Sequence, residues 1–269
     1  MPIRFSITES AHSVLIMATE KPVLVLVHGA FHPPHFYRKL IELLRQEGYV
    51  VLAPPMLTTG LDDSVIGKTY VDDVKRVHEY LLPYLDAGRE AVLVCHSQGG
   101  IAGSAATEGQ TTEERKARGL KGGINAIVYL AAFALPERGL SLMSAIGGHP
   151  PPFYAADAVQ GPLYKVNENA ADSFYNDLPD IQRKRLLEDL VYQSKASTDA
   201  RAHFVAADVT AQKTYIVCTE DRAAPPAAQR AWAQMSNCSI VEIKSDHSPF
   251  LQDDKNRQVV DVILKIAEN

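Results

Sequence analysis

Short β-branched apolar runs alternate along the chain with stretches of helical period. The first are Val23-Leu24-Val25-Leu26-Val27, a helical pattern from about Phe36 to Gln46, and Tyr49-Val50-Val51-Leu52. The alternation continues with a helix over Tyr70 to Leu85, a strand Ala91-Val92-Leu93-Val94, a helix opening near Ser97 and a strand from Ile124 to Leu130. Strands that are apolar at every position, rather than at every second one, belong in a parallel sheet covered on both faces. The order strand, helix, strand therefore predicts an α/β fold with a mostly parallel central sheet and helices on both faces.

After Phe133 the pattern breaks. A segment rich in glycine, proline and aromatics, GGHPPPFYAADAVQGPLY, leads into a strongly helical run from Ile181 to Tyr192. The sheet pattern resumes with Thr214-Tyr215-Ile216-Val217-Cys218, a helix holding Trp232, a strand from Ser239 to Ile243 and a closing helix from Asn256 to Ile266. Residues about 134–208 thus read as a helical lid inserted into one domain spanning 1–269. Gln110 to Lys121 reads as a polar surface connection, and no repeat or low-complexity tract is present.

Composition narrows the function classes. At 269 residues and 46% hydrophobic, the chain can bury one large core, which suits a single domain. The net charge is -5, and lysines and arginines are scattered, so there is no basic stripe for nucleic acid or an anionic membrane. A small neutral or apolar molecule fits better as partner, and a homodimer stays open. The three cysteines, Cys95, Cys218 and Cys238, are odd in number and lack CxxC spacing, which is neither a disulfide framework nor a zinc cassette. The opening MPIRFSITES has no basic-then-apolar signal pattern, and the run from Val14 to Met17 is too short to span a bilayer. The expectation is a cytoplasmic protein in a reducing compartment.

The strongest chemical signal is Cys95-His96-Ser97-Gln98-Gly99-Gly100, directly after a buried strand and before the helix-compatible IAGSAA. A nucleophile elbow needs that context: the strand turns sharply into a helix, a strained serine projects its oxygen, and small neighbours let the backbones approach. Cys95 stands where glycine is usual, and it is small enough to serve. A serine hydroxyl is a weak nucleophile at neutral pH, so it needs a base and a third group that orients the base. His247, in SDHSPF after the last strand, is the expected base. Asp221, at the end of Cys218-Thr219-Glu220-Asp221, is the expected acid; Glu220 is its neighbour and Glu137 a fallback. The backbone N–H groups of Gln98 and of Ala30, in VHGAF, are the expected oxyanion donors. Phe31, Phe133, Phe153 and Tyr154 are expected to line an apolar substrate pocket, with Trp232 in the core. His28, His32 and His35 have no nearby carboxylate to complete a metal site, and loop-bracing or pocket-rim roles fit them better.

Taken together, VLVLVHGAF, CHSQGG, VYLAAF, YIVCTEDRAAPP and SDHSPFLQ resemble the plant methylesterase and hydroxynitrile lyase branch of the α/β-hydrolase superfamily, and similar fungal serine hydrolases. The resemblance spans most of the chain except the lid. It implies a cofactor-independent serine hydrolase with Ser97, Asp221 and His247 as its triad, cleaving a carboxylester, methyl ester or lactone of a small apolar substrate, with no metal. Lyase members carry a lysine after the catalytic histidine and a threonine beside the oxyanion site; Ser248 and Ala30 stand there, which speaks against cyanohydrin cleavage. Dehalogenases and epoxide hydrolases of the same fold use an aspartate at the elbow, which Ser97 excludes. Two alternatives stay open: a biosynthetic thioesterase, acyl-transfer or cyclisation enzyme using the same triad, and a ligand-binding receptor of the same fold.

Overall fold

The computed structural model describes residues 21–156 and 160–268. The opening segment on which the absence of an export signal was judged lies outside the described residues. In chain order the elements are β1 (Val23–Val27), α1 (Arg38–Gln46), β2 (Val51–Leu52), β3 (Thr59–Gly60), α2 (Tyr70–Asp86), β4 (Glu90–His96), α3 (Gly99–Ala106), α4 (Thr112–Ala117) and β5 (Gly123–Leu130). There follow α5 (Leu142–Ala145), β6 (Leu163–Tyr164), α6 (Asn169–Phe174), α7 (Asp180–Glu188), β7 (Tyr192–Ser194) and α8 (Lys195–Asp199). The chain closes with β8 (Gln212–Cys218), α9 (Pro226–Met235), β9 (Ser239–Ile243) and α10 (Asp253–Ala267).

Six strands form one sheet in the order β2-β1-β4-β5-β8-β9, and every pairing in it is parallel. The apolar runs explain why. In β1, Val23, Val25 and Val27 face one core, shared with α2 and α3, while Leu24 and Leu26 face a second, shared with α1 and α10. All five residues are buried, because each face of the strand has a helix layer to cover it.

The sheet also fixes where a site can form. From β1 the chain goes to β2 on one side and returns through β4 on the other, so the strand order reverses between β1 and β4. In open α/β sheets such a switch point leaves a crevice outside the carboxyl ends of the strands. The register sets those ends level: Val27 pairs with Cys95, Cys95 with Tyr129, Leu130 with Ile216, and Cys218 with Ile243.

Between β5 and β8 the chain leaves the sheet. The expected helices are present there, but α7 ends at Glu188, and Tyr192 belongs to β7, which pairs antiparallel with β3 and β6 in a second, three-stranded sheet. The predicted surface connection Gln110 to Lys121 instead holds α4, capped by a Thr111–Glu114 box. Its Arg115 is buried and donates to the Lys121 carbonyl, Gln110 Oε1 and Asp86. No helix among the described residues is long and apolar enough to cross a membrane.

Candidate active site

The elbow forms as its sequence requires. Ser97 follows β4 with φ +53°, a left-handed conformation that costs a side-chain-bearing residue energy and is held only by its surroundings. Its N–H donates to Leu130 O at 3.2 Å, and its carbonyl accepts from Gly100 N at 3.1 Å and Phe133 N at 2.9 Å. Gly99 is required by close approach, since a Cβ there would lie 2.2 Å from Val27 O. Phe31 (φ +64°) and Ala131 (φ +45°) are strained likewise, at the ends of β1 and β5. Among the described residues, three of the four non-glycine positions with positive φ thus lie at the edge of the sheet where the loops meet; the fourth, Asn237, precedes β9.

Two further strand ends deliver partners to Ser97. His247, four residues after β9, places Nε2 3.0 Å from Ser97 Oγ, and its Nδ1 lies 2.7 Å from Asp221 Oδ2, three residues after β8. A carboxylate accepts only, so Nδ1 carries the proton and Nε2 is left to accept from the serine hydroxyl. The His247 and Asp221 side chains are 3% and 0% exposed, so bulk water does not compete for these bonds. Asp221 is itself held: Oδ1 accepts from Ala223 N and Ala224 N, and Oδ2 from Gln229 Nε2 at 2.8 Å. Glu220 and Glu137 are exposed, and neither bonds to His247. Asp246 caps the Ser248 N–H and accepts from Asp177 N, which leaves the orienting position to Asp221.

Ser97 and His247 border a partly open cavity. All four aromatics expected there, Phe31, Phe133, Phe153 and Tyr154, line it, as do Ala30 and Gln98. Among the described residues, neither the Ala30 nor the Gln98 backbone N–H donates to a protein acceptor. Trp232 packs in the core with its ring 4.8 Å from that of Phe133.

Several contributors were not anticipated. Phe174 lines the cavity with its ring 5.6 Å from that of His247, and Leu142 and Ile146 face the same space. They come from the segment between β5 and β8, where no motif marks an individual position. Gln229 gives no sequence signal either. His28 braces its loop as expected, taking Met56 N–H on Nε2 at 2.9 Å and donating from Nδ1 to Gly29 O. His32 is not a rim residue: it is buried in the cavity wall, donates from Nδ1 to Ala30 O and accepts the Tyr175 hydroxyl on Nε2. Burial pushes His28 down to about 4 and His32 down to about 3, so both rings are neutral. His35 is exposed.

Comparison with known proteins gives the family and the fold. A family model described as "Alpha/beta hydrolase family" matches residues 24–262. An alpha/beta hydrolase of Aspergillus novofumigatus is 25% identical over 253 residues, covering 93% of this chain and 96% of that protein. Salicylic acid-binding protein 2 of Nicotiana tabacum is 26% identical over 250 residues, covering 84% of this chain and 90% of its own length. Among solved structures, a polyneuridine aldehyde esterase superposes with TM-score 0.71 at 19% identity, over 92% of this chain and 99% of that one, a likeness of fold.

Proposed function

Because this chain belongs to the alpha/beta hydrolase family, we propose that it is a serine esterase that cleaves a small, largely apolar ester, methyl ester or lactone through an acyl-enzyme. The observation that carries the reading is the hydrogen-bonded series Asp221–His247–Ser97, at 2.7 and 3.0 Å, at the border of an aromatic-lined cavity. Esterase-type names among its relatives support hydrolysis broadly. In this mechanism His247 Nε2 takes the Ser97 proton as Oγ attacks the substrate carbonyl, and Asp221 stabilises the imidazolium. The free N–H groups of Ala30 and Gln98 receive the oxyanion; one such donor is worth about 3 kcal/mol of barrier. His247 then returns the proton to the leaving alcohol, activates a water against the acyl-serine, and the acid departs.

Residues about 134–208 act in this reading as the lid of a single domain, contributing Leu142, Ile146, Phe153, Tyr154 and Phe174 to the cavity wall. The lining is apolar apart from His32, Ser97, Gln98, Tyr154 and His247 and holds no carboxylate, lysine or arginine, which favours an uncharged substrate. The free thiols Cys95, Cys218 and Cys238 fit a reducing compartment, the cytoplasm. The test is turnover of p-nitrophenyl acetate by the wild type and by Ser97→Ala, with circular dichroism to show that both are folded. Turnover is expected to collapse in the variant; hydrolysis retained there removes Ser97 from the mechanism. A protein that shows ligand-dependent melting shifts but no turnover is a binder, not an esterase.

A further inference from the structure

A buried series of side chains connects the oxyanion loop to the base loop without entering the cavity. Gly29 N–H donates to Tyr37 Oη at 3.1 Å, Tyr37 Oη lies 2.7 Å from His96 Nδ1, and His96 Nε2 lies 2.9 Å from the His247 carbonyl. Tyr37 and His96 are both fully buried, and neither lines the cavity. The chemistry fixes every direction. A carbonyl only accepts, so His96 Nε2 carries the proton; Nδ1 is then an acceptor, and the Tyr37 hydroxyl must donate to it while accepting from Gly29. Burial pushes His96 well below the usual histidine range, which keeps the ring in this neutral, one-proton form. The stack is tight on its open side: the Phe250 ring sits 4.2 Å from that of Tyr37 and 5.0 Å from that of His96, and the His96 and His247 rings are 4.7 Å apart.

The consequence for the site is geometric. Because the Gly29 N–H is spent on Tyr37, the peptide there is held in one orientation, and the next N–H, that of Ala30, is the one left unpaired beside Ser97. At the other end the series holds the backbone of His247 itself. His96 precedes Ser97 in the chain, so the three loops that must meet are tied through the strand that carries the nucleophile.

Resting on the esterase reading above, we infer that Tyr37 and His96 are positioning residues, a buried brace that fixes the separation between the oxyanion loop and the His247 imidazole. Misplacing reacting groups by about 1 Å costs on the order of a hundredfold in rate. Tyr37→Phe is therefore expected to lower kcat for p-nitrophenyl acetate by about ten- to a hundredfold while KM stays within about twofold, at a temperature well below the melting point of both proteins. His96→Gln, which can still donate to the His247 carbonyl, is expected to keep more kcat than His96→Leu. A second measurement needs no turnover: nitrogen-15 histidine spectra of the full chain should show His96 protonated on Nε2 and bare on Nδ1 at neutral pH, with the Nδ1 resonance shifted in Tyr37→Phe.

If the wild type hydrolyses the ester and Ser97→Ala does not, while Tyr37→Phe keeps full kcat, the brace is refuted and the nucleophile stands. If the wild type shows no turnover, the esterase reading fails, and the spectra alone decide on the brace. A His96 ring protonated on Nδ1 overturns it in either case.

Discussion

At the scale of single residues, the departure of the elbow from its usual pattern has a structural answer. Cys95 occupies a position where glycine is usual, and its side chain points toward α3. A Cβ on Gly103 of that helix would lie 2.2 Å from Cys95 Sγ, so the glycine in the helix makes the room that the cysteine in the strand needs. Gly103→Ala is expected to destabilise the protein by about 1–3 kcal/mol, the usual range for overpacking a core. The double variant Cys95→Gly with Gly103→Ala should recover a large part of that loss, because the contact couples the two sites. Urea unfolding of the four proteins measures the coupling, and strictly additive losses would refute it. Gln229 makes a second residue-scale case. It is fully buried and shares Asp221 Oδ2 with His247, so Gln229→Leu should leave that carboxylate short of a donor and lower kcat/KM about tenfold or more. Steady-state kinetics at fixed pH tests this, and unchanged kcat/KM would mean that the two backbone N–H groups suffice. The positions of Ser97, His247 and Asp221 were legible in sequence because each sits in a motif attached to a strand end. Gln229, Tyr37 and His96 were not, because their roles depend on contacts that no local pattern encodes.

At the scale of elements, what the chain's pattern predicted and what it missed divide by the range of the interactions. The strands of the main sheet were legible because two-sided burial is written into each run of apolar residues. β7 was not: Tyr192 and Gln193 pair with Gly60 and Thr59, more than a hundred positions away, and Thr59 Oγ1 donates to Gln193 Oε1. Locally those residues extend a helical run, and only the distant partner turns them into a strand. α4 was overlooked despite a readable signal, since Thr111 and Glu114 have the spacing of a capping box. Within the insertion, α7 is held least firmly. It has no fully buried residue, Ile181 is 80% exposed, and its ties are the partly buried Leu186 and Leu187 against the second core and ion pairs from Arg183 to Asp172 and Asp180. Such a helix opens locally at low cost. Brief trypsin treatment of the native protein should therefore cut first at Lys184 or Arg185, both exposed, and mass spectrometry of the fragments reads the site. First cleavage within α2 or α10 would show that the insertion is not the weakest element.

At the scale of the whole molecule, four buried groups make large contributions to how stability follows pH. Burial pushes His28 down to about 4, His32 down to about 3 and His96 well below the usual range, while it pushes the carboxyl of Asp73 up to about 7. The histidines are neutral when folded and take up protons when unfolded below about pH 6.5, so their contribution is complete above that pH and is lost as the pH falls. Asp73 has the opposite sign. Its folded form keeps a proton that the unfolded chain releases above about pH 4, so its contribution is greatest at low pH and is gone above about 7. Near pH 5 the unfolded chain binds roughly three more protons on the histidines and one fewer on the aspartate, a net of roughly two. From these groups, stability should fall by about 2–2.7 kcal/mol for each unit from pH 6 to 4.5, most steeply near pH 5. Asp73→Asn removes the opposing proton and should steepen the slope by about 1.4 kcal/mol per pH unit, whatever the other carboxylates of the chain add to both proteins. Urea titrations of the two proteins at half-unit steps across this window give both slopes. Parallel lines would mean that Asp73 is ionised in the folded protein, held there by the backbone N–H groups of Leu57 and Thr58 and by Thr58 Oγ1.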